Sequence, residues 1–401
     1  MEFKNTLKGI SKDFILNIVA SLVSTGTMQL VLYPALAKHL NAQDYGQMLT
    51  IMGVVNVLIL AFGNNLCNAR IVQNNKYKNA NIVGDFQILL VIVSLISAII
   101  TLVLNFYFRL NSILLLGLVA TTCLSVAKSY YSVAYRINID YMKNLVMNII
   151  LATFYIISIP ILFCSDLWSW IFFIPCIPAI FYINKTSSIV NEPFSKTLLF
   201  NDSFKVVVLL VLSGIIGNIT GYVDRFVVYP LIGGRAVSTF TTASFFSKSV
   251  SLILAPITSV VLSYLIAGRI QMTTQKFKLI NFFLIVASII FFLFSVTVGK
   301  YITGLLYPTL IKDADEYIYL ASLGVIIGIA GVFSGVIVLA CAPSYWQVVL
   351  ELVNLVFTLL TGYLLVNTYG LWGMCYAIIL TNSISFALKW IVGYYYLNNK
   401  N

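Results

Sequence analysis

Apolar runs of about twenty residues, each closed by a short polar break, recur along the whole chain, and runs of that length predict membrane-crossing helices. Twelve are expected, near 14–37, 47–67, 86–107, 112–134, 145–164 and 167–183, then 206–230, 238–266, 279–299, 318–340, 346–367 and 371–396. The first run ends in Ala35-Leu36-Ala37, which looks like a leader-cleavage site. Its apolar stretch is longer than a leader's, and it contains Gln29 and Pro34, so a retained helix is the reading. The longest polar break divides the chain six plus six. The expected organisation is a first six-helix bundle over 1–183, a cytoplasmic linker over 184–205 and a second bundle over 206–401. The halves echo each other: Val31-Leu32-Tyr33-Pro34 closes the first helix and Val227-Val228-Tyr229-Pro230 the seventh. A six-helix repeat has even parity, which relates the halves by an axis along the membrane normal.

Composition supports this all-α membrane class. Of 401 residues, 60% are hydrophobic and 9% charged, against about 25% charged in soluble domains. Such a chain cannot cover a water-facing surface. A soluble enzyme, a nucleic-acid binder and a disordered scaffold are excluded. Net charge is +11, but its distribution says more. Fifteen Lys and Arg fall on the side of the termini (Lys4, Lys8, Lys12, Arg70, Lys76, Lys78, Arg136, Lys143, Lys185, Lys196, Lys205, Arg269, Lys276, Lys278, Lys400). Five fall opposite: Lys38, Arg109, Arg235, Lys300 and Lys312. That asymmetry places both termini in the cytoplasm. Trp168, Trp170 and Trp372 then mark outer helix ends, and Trp346 and Trp390 inner ones.

Soluble-type chemistry finds no support. His39 is the single histidine and sits in a loop, and six cysteines (Cys67, Cys123, Cys164, Cys176, Cys341, Cys375) lie in or beside apolar runs with no Cys-x-x-Cys pair. No metal site, disulfide frame or catalytic triad is expected, and no phosphate-binding loop is present. The informative residues are charges inside the spans, each of which needs a cavity or a partner: Lys128, Asp224, Arg225, Lys248, Glu351 and Lys389. Polar stripes accompany them: Thr121, Thr122, Ser125, Ser129 and Ser132 in helix 4, and Gly214, Gly217, Asn218 and Gly221 in helix 7. Helix 8 adds Thr241, Ser244, Ser251 and Ser259, helix 11 Asn354, Thr358 and Thr361, and helix 12 Asn382 and Ser385. Small residues also serve helix packing, which is the expected role of Gly324, Gly328, Gly331 and Gly335 in helix 10. Lys128 and Lys389 lie near enough to the cytoplasmic boundary for snorkelling, and Asp224 and Arg225 could simply hold helices together. Lys248 lies near mid-membrane with no acidic residue one turn away. Four cations against two acids suit a transporter with an anionic substrate.

Two segments carry a family resemblance across essentially the whole chain. Gln29–Gly46 (QLVLYPALAKHLNAQDYG) ends a helix at a proline and leads through a short loop to Tyr-Gly; Val223–Val228 (VDRFVV), followed by Thr239-Phe240, opens the second half. The chain thereby resembles the O-antigen and capsule repeat-unit flippases of the multidrug, oligosaccharidyl-lipid and polysaccharide exporter superfamily. It departs from their pattern at Gly233–Ser238 (GGRAVS), where an acidic residue and Val-Gly are common. The resemblance implies a bacterial cytoplasmic-membrane flippase. Its substrate would be a polyprenyl-diphosphate-linked oligosaccharide, moved by alternating access, with no enzymatic step. Arg225, Lys248, Lys128, Lys389 and Arg70 are the expected substrate contacts, and Asp224 and Glu351 the cation-coupling or charge-pair residues. No cofactor is expected beyond a coupling proton or sodium ion. Expected partners are membrane lipid, the repeat-unit polymerase and a chain-length regulator, with no nucleic acid. Two rivals stand beside this reading: a cation-coupled drug exporter, whose cavity should be acidic, and a polysaccharide polymerase or ligase, which should carry a large outer loop.

Overall fold

The computed structural model describes residues 2–77, 83–164, 166–266, 272–343 and 345–398. Expectations placed on Lys78, Arg269 and Lys400, and on the side chains of Lys4, Lys8, Lys12, Cys164 and Ser259, lie outside the described residues. Among the described residues, ten helices are long and apolar enough to cross a membrane. In chain order the helices are α1 (Ile15–His39), α2 (Ala42–Asn74), α3 (Val83–Phe108), α4 (Ser112–Ile137) and α5 (Tyr141–Phe163). The shorter α6 (Trp168–Phe173) and α7 (Cys176–Thr186) follow. The second half holds α8 (Phe200–Thr220), α9 (Val223–Leu231), α10 (Gly234–Ala243) and α11 (Phe245–Ile266). It closes with α12 (Thr274–Leu306), α13 (Ile311–Cys341), α14 (Tyr345–Tyr369) and α15 (Leu371–Asn398). The chain is an all-α, multi-pass membrane protein, and each of the twelve expected runs has its counterpart.

Five expected helices are interrupted, the runs near 112–134 and 145–164 only at the single residues Ser132 and Ile159, and three others as follows. Pro175 lacks an N–H and crowds the carbonyl four residues back, so the run near 167–183 becomes α6 and α7. The run near 206–230 parts at Gly221-Tyr222 into α8 and α9. The run near 238–266 begins earlier, at Gly234, and parts at Ser244 into α10 and α11. Three helices stay continuous by widening, α12 among them at Ser295–Gly299. A π-turn at Met28–Leu32 makes room in α1 for Pro34. A second, Ile59–Asn64 in α2, releases carbonyls from the ladder, and Asn65 Nδ2 donates to that of Ala61 at 3.0 Å.

The described chain forms two compact units: Met1–His39 with Ile51–Asn218, and Leu40–Thr50 with Ile219–Asn401. The first unit packs around Phe62, Leu66, Phe86, Tyr130, Met147 and Leu151, with Val207 and Val211 of α8 in the same core. Its central loop is fastened down. Ile189 is buried in that core, Gln87 Nε2 donates to the Ile189 carbonyl at 2.6 Å, and Asp85 accepts from the Thr197 amide and hydroxyl at 2.7 and 2.6 Å.

In the second unit, the glycine stripe of α13 packs on α15 as expected. Gly324 meets Ile378, Gly328 meets Asn382 and Gly335 meets Lys389. Residue numbers rise together along that seam, so α13 and α15 run parallel. A Cβ at Gly328 would lie 2.7 Å from Asn382 Nδ2, the group that donates to the Gly324 carbonyl at 2.8 Å.

Candidate functional site

Two of the breaks place opposite charges at helix starts in the second unit. Asp224 lies in the first turn of α9, where the unsatisfied N–H groups and the helix dipole favour an anion. Lys248 lies in the first turn of α11, where the dipole disfavours a cation, so it needs a counter-charge. Asp224 supplies it: Lys248 Nζ stands 2.5 Å from Asp224 Oδ2, with the Asp side chain 4% and the Lys side chain 31% exposed. Phe240 of α10 offers its ring face to the same ammonium at 5.6 Å. The ammonium expected to meet a substrate anion thus has a partner on another helix. No acid stands near it on its own helix, but α9 brings one across.

Arg225 does not share that pair. Its Nη1 donates to the Leu49 carbonyl at 2.9 Å, its guanidinium lies over the Tyr222 ring, and its buried Nε has no acceptor among the described residues. Thus Arg225 holds the segment 40–50, which belongs to the second unit. Other ties hold it too. Gln43 Oε1 accepts from the Arg235 amide at 2.9 Å, Tyr45 is buried beside Tyr307, and Gly46 meets the Gly234 backbone. Gly233 precedes α10 at φ +114°, a conformation open to glycine. The departure at Gly233–Ser238 has a local account as well: Arg235 Nε and Nη2 bind Asp313 at 3.0 and 2.7 Å.

A second pair lies between α14 and α15. Lys389 Nζ is 3.2 Å from Glu351 Oε1, beside a cavity of about 130 Å³ that Gln347 and Gly335 help to line.

In the first unit, Lys128 has neither an acid within ion-pair distance nor a hydrogen-bond acceptor for its ammonium among the described residues. Because α4 runs on to Ile137, Lys128 lies nine residues from its end, roughly 14 Å.

Arg70 has a structural occupation instead of a free guanidinium. It grips Glu192 with two N–H groups at 2.7 and 2.9 Å, donates to the Tyr130 hydroxyl at 3.0 Å and lies over the Phe86 ring. Sequence reasoning missed Glu192 because it stands in a loop 122 residues away. Glu192→Ala should strand a buried guanidinium and cost about 3–5 kcal/mol. The check is a lowered thermal midpoint of the purified protein in detergent, with an unchanged midpoint contradicting the role.

Both Asp224 and Glu351 are thus taken, by Lys248 and Lys389, leaving Lys128 and Arg225 without an acidic partner within 4 Å among the described residues. No protein-family model matches the chain, and no curated protein matches it. Solved structures do. An inward-facing multidrug resistance MATE transporter of the MOP superfamily aligns with TM-score 0.71 and 14% identity over 96% of this chain and 95% of its own. An outward-facing one gives 0.64 and 14% over 97% of each. A MOP superfamily transporter from Pyrococcus furiosus, described as having a binding pocket of reversed polarity that suggests a different function, gives 0.68 and 12% over 96% of each. The fold is that of MOP superfamily transporters.

Proposed function

We propose that this chain is a flippase moving a polyprenyl-diphosphate-linked oligosaccharide, an O-antigen or capsule repeat unit, between leaflets of a bacterial cytoplasmic membrane. Movement is from the inner to the outer leaflet. The supporting observation is the charge left over inside the spans. Among the described residues each deep acid pairs with a lysine, and Lys128 in the first unit and Arg225 in the second have no ion-pair partner. A lipid-borne diphosphate is an anion that such cations bind, through charge-assisted hydrogen bonds. Hydroxyl and amide groups along the same helices suit sugar hydroxyls.

Alternating access is the proposed cycle, since inward- and outward-facing relatives share the fold. Asp224 is the proposed coupling residue, through a proton or sodium ion that competes with Lys248 for its carboxylate. Glu351 and Lys389 form a second proposed charge pair near the cytoplasmic boundary, with Lys389 and Lys248 meeting substrate when released. Both termini and the loop between the halves are proposed to be cytoplasmic. Membrane lipid, the repeat-unit polymerase and a chain-length regulator are the proposed partners.

The multidrug transporters of like fold favour a second reading, a cation-coupled drug exporter. A residual positive charge in the spans opposes it, because a cationic drug would meet like charge. The Pyrococcus furiosus relative, with its reversed pocket polarity, supports the view that pocket charge and function change together on this fold. Proteoliposomes of this chain under an imposed proton or sodium gradient should not export ethidium faster than protein-free vesicles. Gradient-driven ethidium export would favour the drug-exporter reading.

A further inference from the structure

A groove runs along α15 on the surface of the second unit. Its deeper part is a cavity of about 300 Å³, with Ser288 and Ile289 of α12, Ile327 of α13 and Ser383 of α15 in its wall. The part nearer the end of α15 is a cavity of about 450 Å³ against Ala387, Trp390, Ile391 and Tyr394. Ser383 and Ala387 stand one turn apart, and the rings of Phe386 and Trp390, one from each cavity, are 6.0 Å apart. The two cavities therefore follow one another along the helix. Small, exposed side chains at Ser383 and Ala387 leave the hollow. Ile289 and Ile391, 56% and 63% exposed, border it with apolar surface that hydrocarbon would cover.

One end of the groove carries a cation. Gly393 lets α12 come close, since a Cβ there would lie 2.6 Å from the Phe277 ring. The next residue on each helix is then brought together: Lys278 Nζ lies 4.8 Å from the centroid of the Tyr394 ring. The ion pairs described in this unit use Arg235, Lys248, Lys300 and Lys389, so Lys278 brings its charge to the groove uncompensated. Lys278 follows the start of α12 by one turn and Tyr394 precedes the end of α15 by one. Trp390, Tyr394 and Tyr395 are the aromatic residues expected at such a membrane boundary. From Tyr394 to Ser383 is eleven residues, roughly 16 Å along the helix, against about 15 Å for one leaflet's share of the hydrocarbon core. A chain lying in the groove with its head at Lys278 stays within one leaflet.

We propose that this groove binds an anionic phospholipid of the adjoining leaflet, its phosphate on Lys278 and one acyl chain against α12, α13 and α15. An unfilled hollow would forfeit dispersion contacts along its whole lining, and an acyl chain restores them. The ammonium selects the head, and the Tyr394 ring keeps it at the boundary through a cation–π contact. A basic residue near a membrane surface favours an anionic lipid about fivefold. The proposal lies within one unit and does not rest on the substrate proposed above.

The test uses the full-length protein in neutral detergent and reads the fluorescence of Trp390, which lines the groove. Quenching by phospholipids with brominated acyl chains is recorded for the wild type and for Trp390→Phe, and the difference belongs to Trp390. Brominated phosphatidylglycerol should half-quench Trp390 at about a fivefold lower mole fraction than brominated phosphatidylcholine. Lys278→Gln should remove that preference and Lys278→Arg should keep it, while Lys205→Gln, in the first unit, should leave it unchanged. Ala387→Leu fills part of the hollow from an exposed position. It should weaken quenching by both lipids, which covers the case in which Lys278→Gln does not fold. Equal quenching by the two lipids in the wild type, a preference that survives Lys278→Gln, or full quenching in Ala387→Leu would overturn the proposal. Displacement of the brominated phosphatidylglycerol by a polyprenyl phosphate at a lower mole fraction would overturn it too, by making the groove a site for a polyprenyl chain.

Discussion

Lys248→Ala should be the more damaging of the two substitutions that break the ion pair between α9 and α11, and Asp224→Ala the milder. The reason is burial. Removing Lys248 leaves the Asp224 carboxylate, 4% exposed, in a low-dielectric interior without a cation. Stranding a buried charge in this way costs about 3–5 kcal/mol. Removing Asp224 leaves an ammonium that is 31% exposed, can reach water and still has the Phe240 ring beside it. The yield of folded protein and its thermal midpoint should fall in that order. Asp224→Asn keeps the shape and removes the charge, so transport lost with folding intact would assign the charge a role in the cycle. The exchange Asp224→Lys with Lys248→Asp should recover part of the stability lost in either single variant. Recovery stays partial because the swap puts a cation at the α9 N-terminus. Equal losses in the two single variants, or no recovery in the exchange, would contradict the pair.

Gly46→Ala should prevent normal folding, although it adds one methyl group to an otherwise tolerant membrane helix. A Cβ at Gly46 would land on the carbonyl of Gly234, and one at Gly234 on the carbonyl of Gln43. Backbone meets backbone here, so no flexible side chain can move aside, and the close approach needs glycine on both sides. The contact also fixes the amide of Arg235 on Gln43 Oε1 and the segment that receives Arg225. Its loss should release several of these ties together. Gly26→Ala is the control, since a Cβ there meets nothing within 4 Å. Membrane-inserted, monodisperse Gly46→Ala protein at the Gly26→Ala level would show that the helices can part without cost.

Much of the fold was legible because hydrocarbon imposes a simple rule on sequence. Apolar runs of fixed length with Lys and Arg between them gave the helix order, while the two compact units part at Asn218 and exchange the segment Leu40–Thr50. The breaks were harder to read. Pro175 marks one by itself, but Gly221-Tyr222 and Ser244 lie inside uninterrupted apolar runs, and glycine or serine there also reads as packing. The cost of a membrane charge drew attention to Asp224, Lys248, Glu351, Lys389 and Lys128, of which the first four stand in two ion pairs. Which charge meets which was not legible, because partners 24, 38 or 122 residues apart leave no periodic signal. The same argument that singled out Lys248, a deep cation with nothing to neutralise it, describes Lys128 once the contacts are known. Arg70 is the converse case, a cation whose acid lies in a loop with no helical pattern to point to it.

The central claim is that this chain carries an anionic, diphosphate-linked glycolipid across the membrane. It is tested most directly in sealed vesicles of neutral lipid containing a polyprenyl-diphosphate oligosaccharide on both leaflets, with the fraction open to an impermeant glycan-cleaving enzyme followed over time. Vesicles holding the wild-type protein should expose the inner pool to cleavage, while protein-free vesicles and vesicles with Lys128→Gln should expose far less over the same interval. Wild-type vesicles that match the protein-free rate, from protein shown to be folded and inserted, would contradict the account.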